Sequence, residues 1–140
     1  MTIVERVLLL EGIELFKEVT TEQLSFIAAI GREIEVLAGT VLYSENDPAD
    51  GLYVLISGRA VAMLGEDVIE LIEPNGSFGM AAFFDDSPRL ASALVLEQSR
   101  LLFVSRDDFY DVLTDHVEII QNILKQLVQQ LRRLTVPVES

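Results

Sequence analysis

The chain has no cysteine, no tryptophan, one histidine and only ten lysines and arginines in 140 residues. Each scarcity excludes something. Without cysteine there is no disulfide framework and no thiolate metal site. With His116 as the sole imidazole, the several-histidine metal centre of a cupin-type enzyme cannot be assembled. Ten basic side chains against 23 acidic ones leave a formal net charge of −13. A protein that grips nucleic acid must neutralise phosphates. Here the basic residues are scattered, with only Arg132 and Arg133 adjacent, so direct nucleic-acid binding is not expected. No run of about 18 apolar residues occurs, so membrane insertion is not expected either. Glu5 and Glu11 interrupt the stretch that a secretory leader would need, and the expected setting is the cytoplasm.

What is present suits one compact domain over residues 1–140, since half of the residues are hydrophobic. The order of signals is helices over about 2–31, β structure over about 32–105 and helices over about 106–135. Ile3 to Leu10 reads as a first helix. A second is punctuated at both ends: Thr20 as N-cap, Gln23 completing a capping box, Val19 and Leu24 as a staple, and Gly31 as the stop. Seven short β-rich runs follow, at Glu33–Leu37, Val41–Tyr43, Leu52–Ser57, Ala60–Leu64, Val68–Ile72, Ser92–Leu96 and Leu101–Ser105. Turn pairs such as Asp47-Pro48, Asp50-Gly51, Ser57-Gly58 and Asn75-Gly76 separate them. Short strands with glycine-rich corners predict a sandwich, a roll or a small barrel.

Helical signals return at Ser105, which pairs with Asp108 as a cap for a short helix ending near Thr114; Asp115 with Glu118 opens a longer one. In the longer helix Val117, Ile120, Leu124, Leu127, Leu131 and Leu134 recur at alternating spacings of three and four, until Pro137 stops it. Such a stripe serves a dimer seam or packing on the same chain; Ile123 and Val128 widen it. His116, beside Asp115, reads as a solvated first-turn residue. Glu45, Asp47 and Asp50 read as a solvated loop, with no calcium-loop spacing.

One segment breaks the strand rhythm, from Asn75 to Arg89. Gly79 leads into a short apolar run, Met80 to Phe84, of one or two helical turns. A glycine opening a helical turn lets backbone N–H groups face a phosphate, and Arg89 is placed to clamp the same anion. Asp85 and Asp86 offer Arg89 local charge partners instead. No nucleophile has a base nearby in the sequence, so an enzyme is not expected.

The stretch from about Glu11 to Leu134 resembles the cyclic-nucleotide-binding domain family, which includes the catabolite activator, kinase regulatory subunits and gated channels. The matching residues are Leu15-Phe16, Leu37-Ala-Gly-Thr40, the run from Glu45 to Arg59, Gly76-Ser-Phe-Gly79, Asp86-Ser-Pro-Arg-Leu-Ala91 and Ser105-Arg-Asp-Asp-Phe109. The resemblance implies a mainly β fold, an eight-stranded β-roll of jelly-roll type with N-terminal helices and a C-terminal helical pair. It also implies a phosphate cassette over Phe78 to Ala91, with Gly79, Met80, Ala81, Ala82, Arg89, Leu90 and Ala91 as candidate ligand-binding residues and cAMP or cGMP as the candidate ligand. No cofactor is certain.

Two positions depart from the family pattern. Met80 stands where the family has a Glu that accepts a hydrogen bond from the ribose 2′-hydroxyl, and Leu90 stands where a Ser or Thr hydroxyl helps to hold the phosphate. A hydrogen bond to a charged group contributes roughly 1.5–3 kcal/mol and a neutral one about 1. Losing both weakens a cyclic nucleotide by roughly 2–4 kcal/mol, on the order of thirty- to a thousand-fold. Two expectations follow. In one, the domain senses a small phosphorylated ligand through a hinge near Thr114 to His116. In the other, Met80 and Leu90 plug the pocket and the chain is a ligand-free interaction module, homodimeric through Val117 to Leu134, of the kind appended to transporter-like or signalling proteins.

Overall fold

The computed structural model describes residues 1–135, apart from the side chains of Ala82 and Phe83. Pro137 lies outside the described residues. The N-terminal unit is α1 (Ile3–Glu11), a 3₁₀ turn at Glu14–Phe16 and α2 (Thr21–Ile30). Both α-helices open with a reciprocal capping box. Thr2 Oγ1 accepts from the Glu5 N–H at 3.1 Å, and Thr20 Oγ1 accepts from the Gln23 N–H at 3.2 Å. Each box satisfies two N–H groups that a helix start otherwise leaves unpaired. The first box was not read from the sequence; the second was.

Eight strands follow: β1 (Arg32–Val36), β2 (Val41–Tyr43), β3 (Gly51–Ser57), β4 (Ala60–Leu64), β5 (Asp67–Ile72), β6 (Ser77–Phe78), β7 (Ser92–Val95) and β8 (Ser99–Ser105). They form two four-stranded antiparallel sheets, ordered β1-β8-β3-β6 and β2-β7-β4-β5. This is the eight-stranded roll that the resemblance implied. The strand absent from the sequence reading is β6, two residues long and paired with β3 through Tyr53↔Phe78 and Val54↔Ser77.

Two cores explain why β3 and β8 are apolar at almost every position. Side chains alternate across a strand, so Leu52, Val54, Leu102 and Val104 face the helices while Tyr53, Leu55, Leu101 and Phe103 face the roll interior. A sheet covered on both sides has no polar face to show. The corner between β3 and β4 needs Gly58, at φ +103°, because a Cβ there would stand 2.0 Å from Ser99 Oγ. Glu33 in β1 ties the N-terminus to the roll. Its carboxylate accepts from the terminal ammonium of Met1 and, at 3.0 Å, from Arg100, contacts that hold it below the usual Glu range.

The chain closes with α3 (Arg106–Asp115) and α4 (Val117–Thr135). Ser105 caps α3 through the Asp108 N–H at 3.2 Å, as its position implied. Asp115 does not open α4; it is the last residue of α3, and His116 is the junction. Nor is His116 simply solvated. It is half-buried and stacks on Phe26 of α2, with ring centroids 3.7 Å apart.

The helix-side core centres on Phe109 of α3, which is fully buried and stacks on Phe16 with centroids 6.1 Å apart. Phe109→Ala is expected to lower stability by about 3–5 kcal/mol, the usual cost of emptying a buried ring site. Equilibrium denaturation in urea checks this.

Candidate functional site

The loop between β6 and β7 carries the cassette. Gly79 ends β6 in the left-handed region at φ +84°, and a 3₁₀ turn, Met80–Phe83, follows directly. The chain returns through Ser87 and Pro88 to Arg89, just ahead of β7. Arg89 is the buried cation of the fold, with its side chain only 4% exposed.

A guanidinium out of water must find acceptors. Arg89 Nη2 donates to Asp50 Oδ1 at 2.9 Å and to the Gly51 carbonyl at 2.9 Å, and Nη1 donates to the Gly79 carbonyl at 3.2 Å. Its central carbon lies 4.0 Å from the centre of the Tyr43 ring, a cation–π contact. The backbone locks the same loop to β2 and β3, since Arg89 N–H donates to the Asp47 carbonyl and Asn46 N–H to the Arg89 carbonyl. Arg89 Nε is buried and has no acceptor among the described residues. Three of the five guanidinium N–H groups are thus engaged, and Nε is the nitrogen left without an acceptor.

A hollow of about 240 Å³ opens beside this group. Tyr43, Ala62, Phe78, Met80 and Leu90 are among its walls, with Ile69 and Glu70 of β5 at the far side. Burial pushes the Tyr43 phenol above its ordinary pKa; Arg89 opposes that shift, and the Glu70 and Asp50 carboxylates add to it. Asp85 Oδ1 accepts from the Ser87 N–H at 2.9 Å, and Ser87 holds the Asp85 carboxyl below the usual range.

Six of the seven sequence-derived cassette residues, Gly79, Met80, Ala81, Arg89, Leu90 and Ala91, border the hollow. Ala82 belongs to the 3₁₀ turn, and its side chain is outside those described. Three expectations need correction. Asp85 and Asp86 are not the partners of Arg89: Asp85 is turned to Ser87, and Asp86 pairs with Arg106 of α3. Asp50, read as part of a solvated loop, is the carboxylate that holds Arg89. Leu90 does not plug the hollow, being 80% exposed at its rim, whereas Met80 is half-buried and packs against the helix-side core. Asp50, Tyr43 and Glu70 were missed because the fold joins residues 39, 46 and 19 positions from Arg89, and no local spacing announces such a pairing.

The α4 stripe is where the sequence put it but faces outward. Ile119, Ile123 and Gln126 are buried against the body, while Val117, Ile120, Leu124, Leu127, Leu131 and Leu134 are exposed, Leu124 at 54% and Leu131 at 60%. Ile120 and Leu127, at 37% and 36% exposure, keep partial cover from the same chain. Leu113 and Phe84 join its first turns in an apolar groove.

A β-roll flanked by helices, with an arginine-bearing loop bordering a hollow, defines the class of helix-flanked β-roll domains. Residues 33–116 match the family model described as the cyclic nucleotide-binding domain. The chain belongs to the cyclic nucleotide-binding domain family. It is 29% identical to a CRP-like cAMP-activated global transcriptional regulator of Mycobacterium tuberculosis, over 78% of this chain and 52% of that protein. It is also 29% identical to a cAMP-dependent protein kinase regulatory subunit of Emericella nidulans, over 84% of this chain and 28% of the subunit. The chain therefore spans about half or less of these relatives. Among solved structures, it resembles the N-terminal domain of a transcriptional regulator from Streptomyces coelicolor, with a TM-score of 0.82 and 25% identity over 91% of this chain and 94% of that one. The regulatory domain of Toxoplasma gondii PKA with cAMP is similar too, at a TM-score of 0.73 and 25% identity over 79% of this chain and 44% of that one.

Gly79 carries two constraints at once. A Cβ would stand 2.6 Å from Arg89 Nη1 and 3.0 Å from the Gly51 carbonyl, on a backbone already left-handed. Gly79→Ala is expected to lower stability by at least about 1–2 kcal/mol from the backbone alone and to displace the guanidinium. Urea denaturation reads the first effect, and the Arg89 Nε–Hε resonance reads the second.

Proposed function

We propose that the hollow beside Arg89 receives a small phosphorylated ligand, that cAMP and cGMP are held weakly or not at all, and that the domain is regulatory rather than catalytic. The observation that carries this reading is the buried Arg89 guanidinium, which borders a cavity and whose Nε has no acceptor among the described residues. Family membership supports it, as do relatives named for cAMP activation and cAMP-dependent kinase regulation. The weakness toward cyclic nucleotides rests on Met80 and Leu90, neither of which can hydrogen-bond a ribose hydroxyl or a phosphate oxygen.

The output element is α4. Phe84 of the cassette meets Phe109 of α3 edge-on, with centroids 6.5 Å apart, and Asp86 of the cassette is bonded to Arg106 of α3. A ligand that draws the cassette inward moves α3, and α3 joins α4 through His116. Such a ligand shifts α4 only as far as it binds one arrangement better than the other. We read the site of action as the cytoplasm, whether this domain acts alone or as an appendage of a larger transporter-like or signalling protein.

The exposed α4 stripe favours a second reading, a homodimer through the helix. Its heptad spacing suits a partner helix rather than solvent. On this reading assembly is the output, with or without a ligand.

Two measurements test these readings. Restoring the family residues in Met80→Glu with Leu90→Ser is expected to raise cAMP affinity by roughly thirty-fold or more, read by calorimetric titration. No gain would remove the two substitutions as the reason for weak binding. Light scattering is expected to give the mass of a dimer for the wild type and of a folded monomer for Leu127→Glu; a monomeric wild type would end the seam reading.

A further inference from the structure

The register of the second sheet shapes the hollow. Tyr43 of β2 pairs with Ala93 of β7, Ala93 with Ala62 of β4, and Ala62 with Glu70 of β5. One row thus runs across all four strands with bulky residues at its ends and two alanines between them. The alanines make the floor low, because neither side chain rises beyond a methyl group. Tyr43, at one end, carries the Arg89 guanidinium on its ring. Glu70, at the other, borders the same hollow.

Asp85 and Ser87 are bonded to each other, and Tyr43 gives its ring face to Arg89. Glu70 makes no hydrogen bond or ion pair among the described residues. Placing an unpaired carboxylate opposite a buried cation that also has a spare donor makes the cavity bipolar. An anion is attracted to one end and repelled from the other, while a hydrogen-bond donor is welcome only at the carboxylate end.

From this we infer that Glu70 is a specificity determinant of the pocket, selecting a compact anion whose opposite end carries a hydrogen-bond donor such as an amine. The inference rests on the reading of Arg89 as an anion seat and adds the character of the ligand's other end. Three strand spacings of about 4.8 Å separate the Tyr43 and Glu70 backbones by roughly 14 Å. Side chains reaching in from both ends leave room for a single flat ring substituted at opposite positions. The apolar side chains of Phe78, Ile69 and Met80 fit such a ring, and the alanine floor lets it lie flat. An acceptor has in effect moved from the cassette, where Met80 now stands, to the β5 wall.

The probes are 4-aminophenyl phosphate, 4-nitrophenyl phosphate and inorganic phosphate, each titrated by NMR into the wild-type chain and into Glu70→Gln and Glu70→Ala. Glu70 is exposed and unpartnered, so both variants are expected to fold. The wild type is expected to bind the amino compound roughly tenfold or more tightly than the nitro compound, the size of a hydrogen bond to a charged group. Glu70→Ala should bring that ratio to about one, and Glu70→Gln, which keeps a neutral acceptor, should lie between. Inorganic phosphate should shift the Arg89 Nε–Hε signal in all three proteins. Equal affinity for the two aryl phosphates, a ratio untouched by Glu70→Ala, or binding of inorganic phosphate alone each overturns the role of Glu70 while leaving the anion seat in place. If inorganic phosphate also leaves Arg89 unmoved at tens of millimolar, the seat and the inference fall together.

Discussion

The geometry of this domain depends on a positive charge kept out of water. Removing a guanidinium from solvent costs several kcal/mol unless acceptors replace the lost hydration. Arg89 draws them from two separated stretches: the side chain of Asp50 with the adjoining carbonyl of Gly51, and the carbonyl of Gly79. Tyr43 adds its ring from a third. The cation therefore fastens the start of β3, the end of β6 and the cassette to one point. Desolvation makes the point rigid, because any movement that separates Arg89 from these groups leaves a buried charge short of partners. It also leaves Nε as the guanidinium nitrogen with no acceptor among the described residues, in a side chain that borders a hollow.

From that point the contacts run outward without a gap. The cassette touches α3 twice, through Phe84 with Phe109 and through Asp86 with Arg106. Arg106 also lies over the Tyr110 ring and reaches its hydroxyl, so the first turn of α3 is gathered around the same cation. At the far end of α3, the chain turns at His116 against Phe26 of α2. A ligand acts through such a chain of contacts by distinguishing two arrangements of it.

How much of this could be read beforehand depended on the range of each interaction. The Thr20–Gln23 box and the Ser105 cap span three residues, and both were legible because helix starts are local problems with local solutions. The strands β3 and β8 were legible as apolar runs, although the reason they lack alternation, two cores on two sides, belongs to the fold. β6 escaped because two residues after an Asn-Gly turn carry no period at all. Family resemblance placed Gly79 and Arg89 beside each other, which spacing alone had left open. It did not reveal that Asp50 holds Arg89 or that Glu70 borders the same hollow, since the fold brings both in from distant positions. His116 was misjudged for the same reason: its neighbour Phe26 is 90 positions away.

The α4 helix inverts the usual arrangement of a surface helix. Its contacts with the N-terminal unit are largely polar: Asn122 donates to Gln23 at 2.8 Å, Gln126 to Glu14 at 3.3 Å, and Arg133 reaches Glu14 at 3.5 Å. Gln126 is fully buried with its carbonyl oxygen unpaired, a cost of about 1–3 kcal/mol. Against this stand Ile119 and Ile123, the buried apolar side chains of the helix, while its longer apolar stripe lies in solvent. The helix is thus anchored by two isoleucines, each contributing about 1.5–3 kcal/mol on burial, and by polar contacts that water can replace, while most of its apolar surface is uncommitted. Burying even half of the exposed stripe, at about 25 cal/mol per Å² of apolar surface, would outweigh the polar latches. The position of α4 therefore rests on contacts that a modest bias would overturn.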